Sequence, residues 1–462
     1  MSQSTRRWIC VKVKSLQEST ALPFHDILNA QTVDAALAAE GVTFRERIFT
    51  PLVTLSLFLS QVLDPDHSCR AAVARLIVWL SMHGRKPCAP ETNSYCDARQ
   101  RMPLGAVVGL VHHTAEEIDG RTPVQWRWKG RRVSLVDGST VSMPDTEANQ
   151  KVFPQSRAQR PGLGFPVARL VATISLATGV VRDLALGPYR GKETGETALF
   201  RALWGRLTRG EIIVGDRTFG SFFGIAGLLQ CGVDSVFRMH QARRYNFRRG
   251  RHRGVTDHIV TWRRPARPDW MDEETYAEIP ETLTLRELRF KVTQPGYRVN
   301  EIVLVTTLLD AVEYTKDEIA DLFLQRWNAE LDLRSIKDVL QMDVLRCKTP
   351  EMVQKEIWMH LLAYNLIRGV MAEAAEAHDA SPRELSFKGT LQTMTAFQDP
   401  LRFTPRDGRA LLWAEMLKAI ASHRVGDRPG RVEPRANKRR PKKQRYLNQP
   451  RSEARKRLMR AA

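Results

Sequence analysis

No C-x-x-C pair occurs among the six cysteines (Cys10, Cys69, Cys88, Cys96, Cys231 and Cys347). Their scatter excludes a zinc site of that spacing or a disulfide framework and suits a reducing cytoplasm. The first residues, MSQSTRRWICVKVK, lack the apolar core of a secretory signal, so none is expected. The longest apolar stretch, Thr50 to Leu63, is interrupted by Thr54, Ser56, Ser60 and Gln61. It falls short of the roughly 20 residues a membrane helix needs, so no membrane partner is expected. A nucleotide-binding phosphate loop is missing too. In GPYRGKETGE three residues, not four, separate the glycines, and Glu193 follows Lys192 where Ser or Thr is required. His112 and His113 are adjacent and lack ligand spacing.

Acid is the scarce charge. Fifty-one Asp and Glu face seventy-one Lys and Arg, leaving a net charge of +20. Such an excess favours a polyanionic partner, because each cation set against a phosphate releases condensed counterions. Residues 424–462 hold fifteen Lys or Arg against three acids and read as a mobile basic tail that binds DNA backbone. A hydrophobic content of 43% over 462 residues supports two to four domains, each with its own core.

Along the chain, apolar residues first recur at three and four positions. The spacing predicts helices in FHDILNAQTVDAALAAEG, FTPLVTLSLFLSQVL, CRAAVARLIVWLSMHG and one long SYCDARQRMPLGAVVGLVHHTAEEI. The pattern then changes. RRVSLVD is a short apolar run halting at Asp-Gly, VARLVATISLATGVVRDLALGP alternates and turns at Thr178-Gly179, GETALFRALWGRL is helix-like, and EIIVGD is a strand halting at an acid. Strands, helix, strand is an α/β layout. The domains expected are a helical N-terminal domain (1–122), a catalytic core in two parts (123–232 and 310–380), a β-rich stretch between them (233–309), a helical C-terminal region (381–423) and the basic tail.

Three carboxylates stand out by position. Asp137 and Asp216 end two strands, and Glu330 sits on the helix DEIADLFLQRWNAELDLRSIKDVL. Acids at strand ends project into one crevice of an open α/β sheet, and a helical Glu crossing that edge completes a set of hard oxygen ligands for Mg²⁺ or Mn²⁺. Two such ions are what phosphodiester hydrolysis or transfer asks for, one at the nucleophile and one at the leaving oxygen. Taken singly, each acid has an ordinary reading. Asp137-Gly138 suits a hairpin turn, Asp216 suits a loop, and Glu330 can pair on the helix surface with Arg326 and Arg334. The helix is more specific. At about 100° per residue, Phe323, Arg326, Glu330 and Lys337 fall in one narrow stripe, aromatic, basic, acidic and basic.

This stripe, F-x-x-R-x-x-x-E-x-x-x-x-x-x-K, resembles the Tyr-Arg-Glu-Lys signature of bacterial insertion-sequence transposases of the IS-four family. LVDGSTVSMPDT resembles that family's first-Asp segment and GDRTFGSF its second, and the likeness covers most of residues 90–460. The resemblance implies an RNase H-like mixed α/β core with a β-rich insertion, a catalytic triad of Asp137, Asp216 and Glu330, and phosphate contacts from Arg326 and Lys337. It also implies double-stranded DNA as partner, both element ends and target, with a homodimer bridging the paired ends. Phe323 departs from the signature tyrosine, losing a hydroxyl but keeping an aromatic ring.

Between Asp216 and Glu330 lie 113 residues. Within them QARRYNFRRGRHRG interleaves Arg243, Arg244, Arg248 and Arg249 with Tyr245 and Phe247, a nucleic-acid combination or else a solvated loop. Trp262 reads either as a stacking platform for an unpaired base, as the resemblance implies, or as a core residue. The expected activity is cleavage of element ends and joining of their 3′ ends to target DNA, in a cytoplasmic, nucleoid-associated protein. The rivals are a silent DNA-binding regulator and a nuclease that never joins.

Overall fold

The computed structural model describes residues 28–42, 48–292, 301–425 and 446–461. The N-terminal signal reading and most of the basic tail lie outside the described residues.

Among the described residues five helices precede the sheet: α1 (Ala30–Ala39), α2 (Pro51–Leu63), α3 (Cys69–Met82), α4 (Asn93–Arg101) and α5 (Leu104–Gly120). Asn29, Thr50 and Ser68 cap the first three, each accepting from the backbone three residues on. The expected single helix over residues 94–118 is two, because Pro103 has no N–H to donate and forces Met102 into extended backbone.

There follow β1 (Val133–Ser142), α6 (Glu147–Val152), β2 (Val167–Ser175), β3 (Val181–Pro188), α7 (Glu196–Arg201), β4 (Ile212–Gly215), α8 (Phe222–Gln230) and β5 (Asp234–Arg238). Then come β6 (Arg251–Gly254), β7 (Asp257–Arg263), α9 (Glu273–Glu278), β8 (Thr282–Lys291) and β9 (Glu301–Thr306). The β2–β3 hairpin turns where expected, with Gly179 at φ +83°. All nine strands form one sheet in the order β3-β2-β1-β4-β5-β9-β8-β7-β6. β1, β4 and β5 are parallel, and the other pairings are antiparallel. This mixed α/β sheet agrees with an RNase H-like core. β9 bonds to both β5 and β8, so the strands beyond Asp216 extend the core sheet itself.

The chain closes with α10 (Lys316–Leu324), α11 (Trp327–Arg334), α12 (Pro350–Ala377), α13 (Phe387–Phe403), α14 (Arg406–Ser422) and α15 (Arg451–Ala461). Thr315 and Glu318 form a reciprocal capping box that starts α10.

Alternate strand residues point to opposite faces, and in β2, β4 and the first half of β1 both faces are buried. Val133, Leu135, Ile212 and Val214 pack with α10 to α14 and with residues of α1, α2 and α5. Val136, Val171, Ile213 and Phe237 pack on the other side with α7, α8 and α9. Among the described residues no helix is long and apolar enough to cross a membrane.

Candidate active site

The register of two strands brings the first two acids together. Val136 of β1 faces Gly215 of β4, the last pair of a parallel ladder, so Asp137 and Asp216 are the next residues on neighbouring strands. By alternation both continue the face of Leu135 and Val214, which is the face that α11 covers with Ala329 and Leu333. Asp137 does not end its strand, as the sequence suggested. β1 runs on to Ser142, with Asp137 opposite Ala172 and Gly138 opposite Val171 on β2. The hairpin-turn reading falls with it. Only the β4 side of the ladder stops at Asp137, because β4 is four residues long, and this opens the edge where the acid stands.

The signature helix is not one straight α-helix. α10 ends at Leu324, and the backbone passes Gln325 and Arg326 on tighter bonds, with Ala329 N donating to Arg326 O at 3.0 Å. After α11, residues Ser335–Val339 form a π-turn, where Leu340 N reaches back to Ser335 O at 3.1 Å. Single π-turns within helices recur at functional sites. These two irregularities break the stripe that a uniform 100° per residue predicts. Phe323 is 5% exposed and packs in the core, so its ring serves packing and is closed to DNA. The other three signature residues meet at the Asp137 edge. Arg326 Nη2 donates to Glu330 Oε1 at 2.8 Å, and Nη1 stands 4.0 Å from Asp137 Oδ2. Lys337 Nζ donates to Ser139 Oγ at 3.3 Å, two residues along β1 from Asp137.

Burial is the main reason the Asp137 carboxyl is pushed up from 3.8 to about 6. The Gly138 N–H, which donates to Oδ1 at 2.9 Å, and the Arg326 guanidinium pull it back, while Glu330 and Glu196 push it further. Glu196 is an acid that sequence reading passed over. It opens α7, inside a segment whose only visible signals were a failed phosphate loop and a helical pattern. Asp332 was also missed. It is buried two residues beyond Glu330 and holds Tyr364, Arg368 and Arg383.

As they stand, no three acidic, histidine or cysteine side chains among the described residues are spaced to enclose a metal ion. The donor chemistry nevertheless fits a hard divalent cation. Carboxylates converge on one edge, burial holds the proton on one of them well above the usual range, and the Arg326 guanidinium bridges Asp137 and Glu330 as a cation would.

The remaining candidates lie elsewhere. Trp262 is on β7, five places along the sheet from β1. It is 5% exposed, with Nε1 donating to Glu287 at 2.8 Å and the Arg243 guanidinium 3.5 Å above its ring centroid. It is a packed side chain whose free face Arg243 already covers, which corrects the stacking-platform reading. Arg244, Arg248 and Arg249 are exposed on the loop between β5 and β6. Phe247 beside them packs on His258 at 4.6 Å between ring centroids.

Fold and site together define an RNase H-like protein with an acidic centre flanked by cations. Residues 128–366 match the family described as transposase DDE domain. The chain is 28% identical over 370 residues, 78% of its length and 79% of the relative's, to the transposase InsG for insertion sequence element IS4 of Escherichia coli (strain K12). Over 69 residues it is 38% identical to the transposase for insertion sequence element IS421 of Escherichia coli, which spans 15% of this chain and 19% of that one. Among solved structures, a piggyBac transposase synaptic complex with hairpin DNA superposes with a TM-score of 0.42 at 11% identity, covering 86% of this chain and 82% of that chain. The chain belongs to the transposase DDE domain family, and its function is that of a DNA transposase.

Proposed function

We propose that the chain cleaves the ends of its element and joins the freed 3′ ends to target DNA at a single centre built from Asp137, Asp216 and Glu330. The observation that carries this reading is the convergence of β1, β4 and α11 on one open sheet edge, with Arg326 bridging two of the acids. The three carboxylates would hold Mg²⁺ or Mn²⁺, two ions in all, and the chemistry supplied there would be activation of the nucleophile and stabilisation of the leaving oxygen. Arg326 offers a planar fork that matches two phosphate oxygens. Lys337 supplies a point charge for a neighbouring phosphate. Water is the nucleophile for cleavage and the new 3′-hydroxyl for joining, so the same residues orient both. The helices before residue 122 bind element ends, Arg244, Arg248 and Arg249 contact backbone, and two copies bridge the paired ends.

The decisive experiment uses labelled DNA carrying the element's own ends. Wild type is expected to nick and join in Mg²⁺ and to do neither in EDTA, while Asp216→Asn binds ends but neither cuts nor joins. Cutting without joining would make the protein a nuclease, and binding without cutting in any metal would make it a regulator. A second measurement checks the phosphate role. Lys337→Ala should weaken end binding evenly across sequences and reduce the slope of log affinity against log salt by about one. An unchanged slope removes Lys337 from the DNA contact.

A further inference from the structure

The arginine-rich loop between β5 and β6 is fastened to the sheet beneath it. His258 and Trp262 lie four residues apart on β7 and so share one face, and Glu287 stands directly opposite His258 on β8. All three side chains are buried. Glu287 serves both neighbours: Oε1 accepts from Trp262 Nε1 at 2.8 Å, and Oε2 faces His258 Nε2 at 2.9 Å. The other ring nitrogen of His258, Nδ1, meets the Arg249 carbonyl of the loop at 2.6 Å. A carbonyl and a carboxylate can only accept, so both ring nitrogens donate. His258 is thus the positive half of a buried ion pair with Glu287.

The loop is held at three points along its length. Near its start the Arg243 guanidinium lies 3.5 Å from the Trp262 ring centroid, in its middle Phe247 packs on His258, and at its end Arg249 is bound through its carbonyl. Each contact ends on a side chain that Glu287 fixes. Between and beside these points Arg244, Arg248 and Arg249 are exposed, and among the described residues no acid takes their guanidiniums. Asn246 Oδ1 accepts from the Arg248 N–H at 3.0 Å and turns the chain there. The loop begins at the catalytic edge: Gln241 Oε1 accepts from Arg217 at 2.7 Å, and Arg217 directly follows Asp216. A buried ion pair adds little net stability, because desolvation offsets its attraction. What this one fixes is the place of the loop.

We propose that Glu287 is a positioning residue for DNA binding. Acting through His258 and Trp262, it clamps the loop so that Arg244, Arg248 and Arg249 meet the phosphate backbone beside Asp216 as a preset array. The proposal rests on the reading of these arginines as backbone contacts and adds how they are held. Three arginines on a loose loop have to be ordered at the moment of binding, and each immobilised side chain opposes association. A clamped loop is ordered already when the chain folds. The clamp therefore raises affinity without adding a contact, and its removal lowers affinity without changing the number of phosphates neutralised.

Binding of the full-length protein to a labelled duplex carrying the element's end is measured against salt for wild type, Arg244→Ala/Arg248→Ala, Glu287→Ala and Glu287→Gln. The arginine double variant should reduce the slope of log affinity against log salt by about two, one for each lost phosphate contact. Glu287→Ala should bind about 10-fold more weakly at the wild-type slope. Glu287→Gln should bind like wild type. Its amide oxygen still accepts from Trp262, and its NH₂ donates to a neutral His258 whose Nδ1–H stays on Arg249. That rescue separates the clamp from the charge at position 287. A second variant, His258→Phe/Glu287→Leu, guards against Glu287→Ala failing to fold, because cores commonly tolerate an apolar pair of similar size in place of a buried ion pair. It too should bind about 10-fold more weakly, and trypsin should cut it after Arg244, Arg248 or Arg249 faster than it cuts wild type. Wild-type affinity in this variant, or Glu287→Gln as weak as Glu287→Ala, would overturn the proposal while leaving the arginine contacts standing. Wild-type affinity and slope in Arg244→Ala/Arg248→Ala would instead remove the loop from the DNA contact, and the proposal with it.

Discussion

Asp137→Asn is expected to abolish cleavage and joining while making the metal-free protein more stable. The two effects have one cause. Asp137 keeps its proton up to about 6 instead of 3.8, chiefly because it is buried, with Glu330 and Glu196 adding repulsion and only Arg326 and one backbone N–H opposing it. Between those values the folded state binds a proton that the unfolded chain has released. Stability therefore falls as pH rises through that window, and the loss is complete above it. At roughly 1.4 kcal/mol per pH step the loss is on the order of 3 kcal/mol at neutral pH. Asparagine never ionises and escapes it, less whatever the weaker contact with Arg326 returns. For a chain of this length, in which about 1 kcal/mol shifts melting by roughly 1 °C, Asp137→Asn should melt about 2–3 °C above wild type in EDTA at pH 7.5 and level with it near pH 4. Mg²⁺ should raise the wild type and leave the variant unmoved. Catalysis goes the other way. Losing a ligand that positions a cation at the reacting phosphate forfeits several kcal/mol of transition-state stabilisation, a fall of about 10³-fold or more. A variant that melts below wild type in EDTA at pH 7.5 would show that Asp137 is not held against its charge, and the account of the site would need another basis.

The difference between what could and could not be read from the sequence follows a physical line. Runs with a strong period were legible: the two strands leading to Asp137 and Asp216, the Thr178-Gly179 turn and a helix at DEIADLFL all report local chemistry. So was the spacing of Arg326, Glu330 and Lys337, all three of which meet the Asp137 edge despite the irregular helix. What was not legible depends on partners far along the chain. That β1 runs past Asp137 is decided by β2, which pairs with it to Ser142, and not by the Asp-Gly dipeptide. Phe323 looked like part of an open stripe because helical arithmetic assumes one uniform helix. The tight bonds at Arg326 and the π-turn at Ser335–Val339 turn the basic residues to the edge and leave the ring in the core. Trp262 is closed by Arg243, nineteen positions earlier, and by Glu287, twenty-five later. Glu196 lies fifty-eight positions from Gly138, and no local pattern marks the approach of one to the other.

Asp332→Ala is expected to cost about 3–5 kcal/mol, the largest loss of stability for any single change near the site. Asp332 is 1% exposed, and both of its oxygens are taken. Oδ1 accepts from Tyr364 at 2.9 Å and from the Arg368 guanidinium, and Oδ2 accepts from Arg383 at 2.7 Å. Arg383 also donates to the carbonyls of Ser175 and Leu176 in the β2–β3 turn, and Arg368 crosses to it from α12. One carboxylate thus ties α11, and with it Glu330, to a second helix and to the edge of the sheet. Removing it strands two guanidiniums with little access to water, and breaking a buried pair in this way costs about 3–5 kcal/mol because the charge left behind has no partner. The pair itself adds less than that to stability, since desolvation offsets most of its attraction. Asp332→Ala/Arg368→Met should therefore recover part of the loss, because one orphaned charge leaves with its partner. Denaturant unfolding of the single and double variants measures this directly. If Asp332→Ala unfolds within about 1 kcal/mol of wild type, the surrounding water already screens the arginines and the network does not hold the helix. If the double variant is stable but still cuts DNA poorly while binding it normally, the network's second role is established: it sets the position of Glu330.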